Sequence, residues 1–206
     1  MNFIHHRINT ISNLQEIPIA DGVEVDVRYH NNDLILEHDP LNHHLKPITK
    51  LKDFLAHWNH DGELILNIKT EGIEEMCINL MLDYQIKSWF FLDLSNPQLI
   101  NFSNLMTEKS KTAFGPANLA VRFSEFEPIE FAKSLQGSVS WVWVDCFNNC
   151  PLNMKNYSQL KELGYKFCLV SPELQKHSPL RIASLKKSLI GMDINAVCSK
   201  EPDLWK

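Results

Sequence analysis

Gly22-Val23-Glu24-Val25-Asp26-Val27 is the stretch on which the fold turns. Valines and acids alternate strictly, as in a strand with two different faces. Side chains two apart on a strand project the same way, so Glu24 and Asp26 share one face and the valines take the other. The valines need an apolar cover, which helices supply. The acids then point into the interior of a closed sheet. Two carboxylates there repel each other and lose solvation, so they call for a cation. A hard divalent ion with oxygen ligands, Mg²⁺ or Ca²⁺, is the natural partner. An exposed edge strand with solvated acids is the alternative.

Outward from this strand, short apolar runs alternate with amphipathic stretches. Upstream, Phe3-Ile4 opens a strand that His6-Arg7 ends. Downstream, Asn31-Asn32-Asp33 links to Leu34-Ile35-Leu36, which predicts a hairpin. Leu64-Ile65-Leu66-Asn67-Ile68 is the next strand. Ile73, Met76, Cys77, Leu80, Met81 and Tyr84 recur at helical spacing and predict a helix with one apolar face. Further strands are expected at 89–92, 119–123, 139–144, 167–170 and 196–197. Helices are expected at 97–106, 128–135, 154–163 and 179–189, the second started by Pro128 and the third stopped by Gly164. About eight strands alternating with helices, plus one hairpin arm, imply parallel βαβ units that close into a TIM-type (β/α)8 barrel. The 206 residues fit one such domain over 1–206. An open doubly wound sheet is the other possibility, but there is no glycine-rich dinucleotide or P-loop motif.

Hydrophobic residues make up 44% and charged residues 22%, both ordinary for a globular protein. A net charge of -5 argues against nucleic acid as a partner. No apolar run is long enough to form a transmembrane segment, and the start lacks the pattern of a signal peptide. Five scattered cysteines without a CxxC pair read as reduced thiols, so a cytoplasmic location is expected. Cys146 and Cys150 can lie near each other, but too few further ligands stand nearby for zinc.

Sites in such barrels lie at the C-terminal ends of the strands. His6 and Arg7 stand at the end of the first strand, and His38 and Asp39 at the end of the hairpin. Two histidines flanking a metal-bound phosphate suit acid–base cleavage of a phosphodiester.

Taken in order, three motifs resemble the glycerophosphodiester phosphodiesterase family, a branch of the PLC-like phosphodiesterases. They are His6-Arg7, Glu24-x-Asp26, and Asn32-Asp33-Leu34-Ile35-Leu36-Glu37-His38-Asp39-Pro40. The family pattern is a His-Arg start, a G-x-E-x-D strand and a hairpin ending in His-Asp. The resemblance covers the first third of the chain closely, the segment 196–204 loosely and the middle in rhythm only. It implies a barrel, a divalent cation on Glu24 and Asp26, His6 and His38 as acid and base, and Arg7 on phosphate. His5 is the rival of His6; strand alternation lets only one of them face the site. The family's third acidic ligand falls on Asn67 in Leu66-Asn67-Ile68-Lys69-Thr70. An amide oxygen can bind Mg²⁺ or Ca²⁺ but brings no charge, so the cation should be held more weakly. Lys69 remains to contact phosphate.

The chain departs elsewhere too. The glycine usual after His-Arg is Ile8, and a Glu-Asn-Thr survives only as Asn9-Thr10. The short gap from His6 to Glu24 looks closer to the spider-venom phospholipase D-like branch. The substrate expected is a small glycerophospho- or sugar-phosphodiester, attacked by water or by its own hydroxyl. The competing reading is a catalytically inactive barrel that binds a phosphorylated ligand or a partner protein, with Asn67 as its main support. Among other polar residues, Asp145 either orients substrate or caps a loop. Arg122 and Glu125 are inward or loop residues. His43-His44 and His57-x-x-His60 lie in polar segments read as exposed, without acidic or thiol partners at a fixed offset, and Lys186-Lys187 reads as a solvated helix face.

Overall fold

The computed structural model describes residues 1–41, 47–108 and 114–206. The strands are β1 (Asn2–His5), β2 (Gly22–His30), β3 (Asp33–Leu36), β4 (Leu64–Ile68), β5 (Trp89–Leu92), β6 (Ala120–Phe123), β7 (Trp141–Val144), β8 (Lys166–Val170) and β9 (Ala196–Ser199). Eight of them run parallel in the circular order β1-β2-β4-β5-β6-β7-β8-β9, and β9 returns to pair with β1. The barrel is nearly closed: β5 meets β6 through the bridge between Phe91 and Leu119. Helices α1 (Ile11–Glu16), α2 (Leu51–Leu55), α3 (Glu74–Asp83), α4 (Asn96–Glu108), α5 (Ile129–Ser134), α6 (Met154–Glu162) and α7 (Arg181–Ser188) alternate with the strands. No helix among the described residues is long and apolar enough to cross a membrane.

The alternation in β2 divides two cores. Val23, Val25 and Val27 face outward into the layer shared with the helices. A second apolar cluster, including Ile4, Ile65, Phe90, Trp141, Cys168 and Cys198, fills the interior. Phe90 and Trp141 stack inside it with ring centroids 4.8 Å apart. This plug keeps water out from below, as packed layers do in barrels of this kind.

The hairpin arm has a local cause. Asn31 (φ 49) and Asn32 (φ 64) adopt the left-handed conformation that a two-residue turn needs, and asparagine tolerates it better than most residues. β3 then runs back along β2 with Leu36 opposite Val27, and the Glu37 N–H donates to the Asp26 carbonyl at 3.0 Å. The turn thereby returns His38 to the mouth of the barrel.

At the other end, β1, β2 and β4 approach too closely for a side chain at Gly22. A Cβ there would lie 2.4 Å from the Glu63 carbonyl oxygen and 2.6 Å from Ile4 Cδ1. Gly22→Ala is expected to destabilise the fold by about 1–3 kcal/mol, the usual cost of overpacking. Urea unfolding should show a lower midpoint at unchanged slope.

Three expectations are corrected in detail. The apolar face of α3 is narrower than its periodicity implies: Cys77 and Met81 are buried, whereas Met76 and Tyr84 are exposed. A short helix on a convex wall touches it along a thin stripe. Lys186 is not simply solvated, since its Nζ donates to the carbonyls of Trp205 and Lys206, both at 3.0 Å. His60 is buried rather than exposed; its Nδ1 lies 3.2 Å from the Pro18 carbonyl and its ring 5.1 Å from that of Trp58.

Candidate active site at the barrel mouth

Glu24 and Asp26 are both fully buried and share the inner face of β2. Pairing of β2 with β4 places Asn67 directly opposite Asp26. The Asn67 amide donates to Glu24 Oε1 at 2.8 Å, and its carbonyl oxygen accepts from Lys69 Nζ at 2.7 Å. Lys69 Nζ also lies 3.5 Å from Asp26 Oδ1 and from Asp93 Oδ2.

The loop after β1 completes this half of the site. Arg7 takes a left-handed backbone (φ 57), and its N–H donates to Glu24 Oε2 at 2.8 Å. Asn9 clamps Asp26 from two sides, donating to Oδ2 at 2.8 Å and accepting from the Asp26 N–H at 2.9 Å. Alternation separates the two histidines. His5 turns outward to Asp21 at 3.0 Å, while His6 faces in with Nε2 3.8 Å from Glu24 Oε2. From the hairpin, His38 Nε2 lies 2.5 Å from the Arg7 guanidinium and Nδ1 lies 2.7 Å from Asp39. Arginine cannot accept, so Nε2 accepts and Nδ1 carries the proton toward the carboxylate. Arg28 holds the loop in place by donating to the His38 carbonyl at 2.7 Å.

The electrostatics follow from burial. Burial first, and the neighbouring Asp26 second, push the Glu24 carboxyl up to about 7. Burial, reinforced by the positive charges of Arg7 and Lys200, pulls His6 down to about 3. The two shifts act oppositely on stability. Glu24 binds its proton more tightly folded than unfolded, so its contribution is lost as pH rises from about 4.5 to about 7. His6 binds its proton more weakly folded, so its contribution is lost as pH falls from 6.5 to about 3. Without divalent ions, Glu24→Gln is therefore expected to stabilise the protein more at pH 8 than at pH 5. Denaturant unfolding at the two pH values checks this, and an equal effect at both would contradict the assignment to Glu24.

Asp26 Oδ1 is buried and accepts no hydrogen bond. A buried carboxylate oxygen with no hydrogen bond, reached by the Lys69 ammonium at 3.5 Å, beside a protonation-prone glutamate is an environment that a hard cation relieves. Two carboxylates, with the Asn67 oxygen as third donor, fit such an ion. Lys69 competes for the same oxygens. Among the described residues no three His, Cys, Asp or Glu side chains gather as ligands.

On the far side of the mouth the sequence pointed to Arg122 and Asp145 but not to their partners Asp93 and Gln175. Arg122, inward on β6, forms ion pairs with Asp93 and Asp145 and lies 3.6 Å from Glu127. Although burial opposes it, Asp93 and Asp145 hold the guanidinium proton more tightly than usual. Asp145 also accepts from Gln175 at 2.6 Å, so it orients side chains rather than merely capping a loop. Glu125 is a loop residue that accepts from the backbone of Phe147, Asn148 and Asn149. Asp93 was findable, since it follows a barrel strand as directly as Lys69 does. His43 and His44 lie outside the described residues. His57 bonds the Asp53 carbonyl at 2.9 Å.

No family model and no curated protein matches the sequence. Solved structures match the fold. A glycerophosphodiester phosphodiesterase from Agrobacterium tumefaciens superposes with a TM-score of 0.66 at 13% identity, covering 100% of this chain and 99% of that one. A glycerophosphoryl diester phosphodiesterase from Parabacteroides distasonis gives 0.68 at 14% identity, covering 98% and 84%. The tryptophan synthase alpha subunit of Campylobacter jejuni gives 0.60 at 10% identity, covering 96% and 85%.

Proposed function

We propose that this barrel, whose fold is shared with glycerophosphodiester phosphodiesterases, cleaves a small glycerophospho- or sugar-phosphodiester. Acid–base catalysis falls to His6 and His38. The observation that carries this reading is the convergence of His6, Arg7, Glu24, Asp26 and His38 at one barrel end, with both imidazoles against the Arg7 and Glu24 side chains. Glu24, Asp26 and the Asn67 oxygen would hold Mg²⁺ or Ca²⁺, which when bound supplies positive charge to stabilise a phosphate oxyanion.

The chain's own residues do the rest. Asp39 fixes the His38 tautomer, leaving Nε2 free to exchange a proton once Arg7 turns to the substrate. Arg7 and Lys69 supply donors to the phosphate. His6 is uncharged in the free site; a phosphodiester anion beside it raises its affinity for a proton. The apolar plug below excludes water from the base of the site and strengthens these interactions.

A non-catalytic barrel that binds a phosphorylated ligand or a partner protein is favoured by two contacts. The Asn67 amide already satisfies Glu24, and Lys69 satisfies Asn67. Hydrolysis of a panel of phosphodiesters with Mg²⁺, Ca²⁺ or Mn²⁺ separates the two readings. The expected result is turnover of at least one diester by the wild type and none by His38→Ala. If only Asn67→Asp turns over substrate, the binding reading is the better one. If neither turns over a diester or binds a divalent ion, the phosphodiesterase reading falls.

A further inference from the structure

The loop that leaves β7 carries Cys146 and Cys150, four residues apart. Glu125 draws the N–H groups of Phe147, Asn148 and Asn149 onto one carboxylate, with distances of 3.2, 2.8 and 2.5 Å. Three successive amides aimed at one acceptor curl the backbone between the two cysteines into an arc. Both thiols line one cavity of about 310 Å³, shared with His177 and Arg181. Its border residues Asn148, Asn149 and Arg181 are exposed, so solvent reaches it. Cys146 is buried and Cys150 is half-buried.

We infer that Cys150 and Cys146 form a peroxide-reactive dithiol site, with Cys150 as the attacking thiol and Cys146 as its resolving partner. The Cys146 S–H points to the Val144 carbonyl at 3.9 Å, and the two neighbouring thiols shift each other, so that the Cys150 proton is held less tightly than usual and the Cys146 proton more tightly. The Leu152 backbone amide also favours the Cys150 thiolate. The thiolate is the reactive form, so the two neighbours divide the roles between them. The other three cysteines are buried, and burial pushes their thiols up.

The chemistry balances with a hydroperoxide as oxidant. The Cys150 thiolate attacks one peroxide oxygen, the O–O bond breaks, and for hydrogen peroxide hydroxide leaves as water after taking a proton. Cys150 is now a sulfenic acid. The Cys146 sulfur attacks the Cys150 sulfur, the S–O bond breaks, and a second water departs with the Cys146 proton. Two thiols and one peroxide give one disulfide and two waters.

Both cysteines fall in the tryptic peptide 134–155, so the product is read directly. After dilute hydrogen peroxide and blocking with iodoacetamide, the wild-type peptide should resist alkylation and be lighter than the reduced peptide by about 2 Da, the loss of two hydrogens. Cys146→Ser should instead give a dimedone adduct at Cys150, and Cys150→Ser should give neither product. In the unoxidised protein Cys150 should alkylate first. The inference is overturned if Cys150 alkylates no faster than the buried cysteines. It is equally overturned if peroxide oxidises methionine before any disulfide forms, or if Cys146→Ser gives no dimedone adduct.

Discussion

His38→Ala is expected to lower kcat/KM for the cleaved diester by about 10²–10⁴-fold, the usual contribution of one positioned acid or base. Its effect on stability should be small. The His38 side chain is 33% exposed, and its partners Arg7 and Asp39 both reach solvent. Thermal unfolding should stay close to wild type, and added imidazole should restore part of the lost rate. His6→Ala should lose activity by a similar factor but behave differently in stability. His6 is largely buried, with its Nδ1 unpartnered, so removal opens space beneath the mouth while relieving an unsatisfied nitrogen. A full loss of activity in His6→Ala with none in His38→Ala would assign the chemistry to a single histidine.

The second large effect is expected at Asn67. Asn67→Asp removes the amide donor to Glu24 and sets a third carboxylate beside two buried ones. Lys69 offsets part of the added charge, yet like charges at this spacing without an ion should destabilise the fold by on the order of 3 kcal/mol. Divalent cations should reverse this. An ion at 100 times its Kd adds about 2.7 kcal/mol to stability, so the variant's unfolding temperature should climb steeply with added Mg²⁺ or Ca²⁺. The wild type should respond at higher concentrations only. Equal responses would mean that the ion does not bind at this position.

Much of the frame was legible before any coordinates. Period-two alternation in β2 put the valines outside and the acids inside, and the same rule sent His5 to Asp21 and His6 to the mouth. The Asn31-Asn32 turn announced the hairpin that returns His38. These features are local: strand pleat and turn sterics act over a few residues, so a linear reading captures them. The amide at position 67 was equally visible, because the resemblance of Leu66-Asn67-Ile68-Lys69 to an acid-Ile-Lys segment marked the position; only the structure set it opposite Asp26.

The tertiary structure alone decided what meets across the barrel. Asp93, Arg122, Asp145 and Gln175 come from four different strand ends, and no spacing in the chain relates them. Asn9 looked like a remnant of a motif, but folding makes it the clamp on Asp26. Glu173, which accepts from Ser199 and from the Lys200 N–H, joins the last strand to its neighbour in the same way. The cause is common to all of them. A strand's own sequence dictates which face a side chain takes, whereas the partner on that face depends on closing eight strands into a ring. The Glu24 and Asp26 carboxylates were placed by their own strand; their burial, and with it the proton affinity of Glu24, exists only once the ring is closed.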